Sequence, residues 1–166
     1  PTTLVDAATP TDSEYVSSVL VAARLAATAL PDFPGSMPLN LAVLGADRAT
    51  DVIVAYPGID TWAIGGHSLG GAMAGQYADR HPDVIAGLAL WAAFPNGDLS
   101  DQPSLAAVSV YGSLDAGAER FGSADTMADL PAGSRFEVIE GGNHEQMGDY
   151  TGQPNDGVAT ISREEQ

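Results

Sequence analysis

Apolar positions recur at helical spacing early in the chain. Val16, Val19, Leu20, Ala23, Ala27 and Leu30 share one face behind Thr11-Asp12-Ser13-Glu14, which reads as a capping box. Pro31 and the run Asp32 to Pro38 break the pattern as a loop. A second helix is expected from near Asn40 to Tyr56, closed by Pro57-Gly58. From there the period shortens. Trp62 to Gly65 reads as a short strand, and Leu69 to Arg80 as a helix that must end before Pro82. Val84 to Ala92 is a continuous apolar run, as a strand covered on both faces would be. Leu105 to Tyr111 is a further strand, part of Glu119 to Leu130 a short helix, and Arg135 to Glu140 the last strand.

Strand and helix alternate throughout. The expected fold is therefore α/β, a mostly parallel sheet flanked by helices and joined by right-handed crossovers. With 166 residues and 45% hydrophobic content, residues 1–166 suffice for one domain with a substantial core. Only Thr2 to Val5 offers a strand ahead of the first helix. Ser162-Arg163-Glu164-Glu165 is a second capping box that opens a helix close to Gln166. The pattern reads as most of a larger domain, with early strands and a last helix missing.

One turn in this pattern carries chemistry. Gly66-His67-Ser68-Leu69-Gly70, followed by Gly71, puts a serine at G-x-S-x-G spacing between a strand and a helix. In such a turn the serine backbone is strained and its neighbours must lack bulk, because helix and strand approach closely. The hydroxyl then stands at the carboxyl edge of the sheet, and the N–H of Leu69 points toward an oxyanion formed beside it. The bland alternative is a glycine-rich turn in a chain with 19 glycines.

A serine hydroxyl needs a base, and three histidines are available. His67 lies inside the turn, facing away from the nucleophile, with packing as its role. His81 sits at a helix end beside Pro82, where an imidazole suits the dipole. His144 follows the last strand, in a flexible Gly-Gly-Asn loop on the same sheet edge as Ser68, and is the candidate base. The carboxylate that orients the imidazole should come from the edge between them. Asp115, in Tyr111-Gly112-Ser113-Leu114-Asp115, is favoured over Asp98, with Glu119 third. Met37, Leu39, Met73, Trp91, Phe94 and Met147 are candidates to line an apolar acyl site, though each also reads as ordinary core.

Charge narrows the partners. The net charge is −16, all six basic residues are arginine, and lysine is absent. So acidic a surface repels nucleic acid and anionic membranes, and no apolar run reaches the roughly 18 residues that span a bilayer. Two origins fit this composition: adaptation to high salt, or an acidic protein from a high-GC genome. Cysteine is absent, which excludes disulfides, thiolate chemistry and Cys-ligated metal. The three histidines lack metal-ligand spacing. Without a signal-peptide pattern, the cytoplasm is the expected compartment.

The order Ser68, Asp115, His144, together with Met37-Pro38-Leu39-Asn40, Gly65 to Gly71, Trp91-Ala92, Tyr111 to Asp115 and Gly141 to His144, resembles the α/β-hydrolase superfamily. The likeness is to its compact, lidless, dienelactone-hydrolase-like branch and spans residues 37–166. Dienelactone hydrolase carries cysteine in the elbow, where this chain has Ser68. The resemblance implies a minimal α/β-hydrolase fold. It also implies a serine esterase or related hydrolase acting on a small-molecule ester, with no metal and no organic cofactor. Two departures accompany it. Family members supply a second oxyanion N–H from a Gly-rich loop after an early strand, and Pro1 to Pro10 has none. Losing one such donor costs on the order of 10²–10³ in turnover. Pro31 to Pro38 also lacks the apolar strand found between the first two helices. A homo-oligomer that completes the sheet is one expectation from this. A catalytically weak or inactive scaffold acting as an interaction module is the competing reading of function.

Overall fold

The computed structural model describes residues 48–148 and 150–166. The helix expected over 11–30, the loop that follows it, and Met37 and Leu39 lie outside the described residues. Helix α1 (Arg48–Ala55) is followed by β1 (Trp62–His67), α2 (Leu69–Arg80), β2 (Ile85–Trp91) and β3 (Ala106–Gly112). Two short helices, α3 (Ala118–Phe121) and α4 (Ala124–Ala128), lead to β4 (Arg135–Ile139) and a single turn, α5 (His144–Met147). The four strands form one sheet in the order β1-β2-β3-β4, and every neighbouring pair is parallel. This is the α/β architecture expected from the alternating pattern.

Register decides which side chains share a face. Ile64 pairs with Leu88, Leu88 with Ala107, and Gly66 with Leu90. Ile64, Leu88, Leu90 and Ala107 therefore point the same way and are buried beneath α2, whose Ala74, Tyr77 and Ala78 complete the core. Small residues on this side of α2 let helix and strand approach closely. Tyr77 is the large exception, and its hydroxyl is held by a 2.9 Å hydrogen bond with Thr50 Oγ1 of α1. His81, at the C-cap of α2, stacks on Tyr77 at 4.1 Å between ring centroids, so its part is structural.

The strands run one or two residues off the pattern-based limits. β1 continues through Gly66 to His67, because the backbone stays extended and paired with β2 up to the elbow. The helix expected within 119–130 is two helices. Gly122 ends the first, and Ser123 caps the second by accepting the Thr126 N–H at 3.2 Å. Ser162 and Glu165 make the reciprocal bonds of a capping box: the Ser162 N–H donates to Glu165 Oε2 at 2.8 Å, and the Glu165 N–H to Ser162 Oγ at 3.3 Å.

In a parallel sheet all the strand-to-helix turns open on one edge. The segments after β1, β3 and β4 carry Ser68, Asp115 and His144 to that edge.

Candidate active site

Ser68 adopts φ 54° and ψ −123°, a conformation that L residues rarely take. It is held there by its own backbone bonds. Its N–H donates to Trp91 O at 2.9 Å, and its carbonyl accepts from Gly71 and Ala72 in the first turn of α2. The glycines are required by contact. A Cβ on Gly66 would stand 2.5 Å from the Gly70 carbonyl carbon, and one on Gly71 would collide with Ala93 Cβ. The Leu69 N–H, first in α2, has no intrahelical acceptor and makes no hydrogen bond among the described residues.

Asp115 and His144 meet. His144 Nδ1 donates to Asp115 Oδ2 at 2.7 Å, with the carboxylate side chain 1% exposed and the imidazole 10%. The other carboxylate oxygen, Oδ1, accepts the Gly117 N–H at 2.7 Å, so Asp115 is held at both oxygens. The loops that carry the pair are braced across the sheet edge: Ser113 N–H donates to Ile139 O, Leu114 N–H to Gly142 O, and Gly141 N–H to Ser113 Oγ. Gly112 has to be glycine, because a Cβ there would strike the Gly142 carbonyl. Ser68 Oγ is not hydrogen-bonded to His144 in this structure, so the pair formed is imidazole with carboxylate.

The rival acids stand elsewhere. Asp98 is fully exposed and accepts both the N–H and the hydroxyl of Ser100, and these bonds hold its carboxyl below the usual range. Glu119 is exposed on α3.

Two features differ from the sequence reading. His144 is not in a flexible loop. It opens α5, with Asn143 as N-cap accepting the Gln146 N–H at 3.1 Å, and Asn143 and His144 are both buried. The motif that shows this is in the chain: Asn143 with Gln146 three residues on has capping-box spacing. His67 does not pack away from the site. Its ring lies 4.6 Å from the His144 ring and 5.8 Å from that of Tyr150. Its Nε2 donates to His144 O at 3.1 Å, which fixes the tautomer. Burial, and next the His144 imidazole, push His67 below its ordinary value. Burial, followed by the carboxylates of Asp156, Asp115 and Glu145, raises Tyr150.

Of the apolar candidates, Trp91 and Met147 line a cleft of about 210 Å³ with Val110, Ile139, Gln146 and Gln166. Phe94 packs against Phe121 at 6.5 Å, and Phe121 faces the His144 ring at 6.4 Å with the planes 27° apart. The Arg120 guanidinium covers the Phe94 ring at 3.7 Å. Met73 is part-buried on α2. Among the described residues there is no group of three or more His, Asp or Glu placed to hold a metal, and no helix long and apolar enough to cross a membrane.

The fold is shared with solved structures. A thermophilic esterase from Thermogutta terrifontis superposes with a TM-score of 0.51 at 15% identity, over 68% of this chain and 67% of that one. Acyl-protein thioesterase 2 from Zea mays gives 0.51 at 12% identity, over 74% and 64%. A predicted CIB-like hydrolase from Thermoplasma acidophilum is 24% identical with a TM-score of 0.49, and the chain spans 51% of its length. Comparison with curated proteins finds no match. The sequence model of the alpha/beta hydrolase family matches residues 12–166. With that match over nearly all of its length, and a four-stranded parallel sheet, the chain belongs to the alpha/beta hydrolase family.

Proposed function

We propose that this protein is a serine hydrolase that cleaves small carboxylic esters through an acyl-enzyme. The observation that carries the reading is the buried 2.7 Å bond from His144 Nδ1 to Asp115, at the sheet edge where Ser68 is held in its strained turn. That bond leaves His144 Nε2 as the basic nitrogen. In the reaction, Nε2 takes the Ser68 proton as Oγ attacks the ester carbonyl carbon. The tetrahedral oxyanion is met by the unpaired Leu69 N–H. As the C–O bond to the alcohol breaks, the leaving oxygen takes the proton back from Nε2 and an acyl-serine remains. Water then attacks the acyl carbon, gives its proton to Nε2, and Ser68 recovers it as the acid departs. Asp115 stays ionised throughout and stabilises the imidazolium.

A structural neighbour from Thermogutta terrifontis is itself an esterase. The test is hydrolysis of a short-chain nitrophenyl ester together with covalent labelling by a fluorophosphonate. Ser68→Ala should lower kcat by on the order of 10³-fold or more and abolish labelling. Equal rates for the two proteins would remove the reading.

A further inference from the structure

The four-residue turn α5 is too short to hold itself together, and the N–H groups that open it have no intrahelical acceptors. Each is taken by a side chain. Asn143 Oδ1 takes Gln146 N–H. The other two go to one carboxylate from a distant segment: Asp156 Oδ1 accepts the His144 N–H at 3.2 Å, and Asp156 Oδ2 accepts the Glu145 N–H at 3.0 Å. Asp156 is itself aimed by the Gly157 N–H, which donates to Oδ1 at 3.0 Å, and by Asn155, whose φ of 62° turns the chain sharply before it.

We propose that Asp156 is a positioning residue for the histidine base. It sets the main chain of His144 while Asp115 sets the ring, and the direction of Nε2 toward Ser68 needs both. The proposal rests on the reading of His144 as the base. The physical reason is that a carboxylate on two consecutive amides makes two charge-assisted hydrogen bonds, stronger than neutral ones. With that carboxylate removed, the first turn of α5 loses two of its three N–H partners. The imidazole then moves with its backbone, and the bond to Asp115 lengthens. Asp156 touches neither substrate nor reacting atoms in this scheme.

Asp156→Ala and Asp156→Asn in the full chain test this, with Asp101→Asn as a control that removes one exposed charge elsewhere. The first readout is the low-field proton resonance of His144 Nδ1–H, which requires no turnover. The second is kcat against KM for a nitrophenyl ester. Asp156→Ala should lose or broaden the resonance and lower kcat by about 10²-fold with KM unchanged. Asp156→Asn keeps an oxygen for one amide and should lose about tenfold, while Asp101→Asn matches the parent. A sharp resonance and parental kcat in either Asp156 variant overturn the proposal, and Asp156→Asn alone decides it if the alanine variant does not fold. A parent protein that shows the resonance but cleaves no ester removes the proposed function. The resonance in the Asp156 variants then still decides the positioning role.

Discussion

Asp115 and His144 form a buried pair in which neither partner can be lost cheaply, since each satisfies the polar atoms of the other. Asp115→Asn keeps the size but offers Nδ1 an amide, which permits the wrong imidazole tautomer. Steady-state kinetics should record a fall in kcat on the order of 10⁴-fold with little change in folding. His67 gives a pH signature of a different kind. Its folded pKa lies below the ordinary 6.5, so below that pH the unfolded chain binds the extra proton more readily than the folded one. Stability from a neutral His67 is therefore full above pH 6.5 and falls as the solution is acidified through the depressed value. Urea midpoints measured across that range should decline toward acid, and His67→Gln should flatten the decline.

At the scale of elements, the elbow depends on missing side chains. Gly66→Ala would force a methyl to within 2.5 Å of the Gly70 carbonyl carbon in a packed junction of β1 and α2. The expected cost is about 1–3 kcal/mol, read as a lower denaturant midpoint, with labelling of Ser68 slowed as the turn shifts. The strands and α2 were legible in the chain because one period dominates each: β2 is a continuous apolar run and α2 a small-residue helix stopped before Pro82. The turn at Ser68 was legible for a related reason, since glycines at fixed spacing around it state a close approach. What periodicity hides is whatever contacts from afar determine. His67 reads as a packing residue, and only the tertiary fold brings its ring against His144. The α5 turn is too short for any period, and its Asn143 cap was the one local sign. Nothing near Asp156 announces its role, because its partners are amides 11 and 12 residues back. The break between α3 and α4 was visible only as Gly122, a single residue that helices can also tolerate.

For the molecule as a whole, a net charge of −16 on 166 residues opposes compaction when screening is weak. Scanning calorimetry from tens of millimolar to molar salt should show a rising Tm, and a flat profile would leave genome composition as the better account of the missing lysines. The parallel sheet also divides the molecule in two. Every proposed reactive group lies beyond the carboxyl ends of the strands, whereas the turns that lead into them, such as 131–134 before β4, lie at the opposite edge. Ala132 is exposed in that far turn, and the chain has no cysteine of its own. A lone thiol introduced there as Ala132→Cys could anchor the protein to a bead or electrode in a single orientation, its mouth turned toward the bulk liquid.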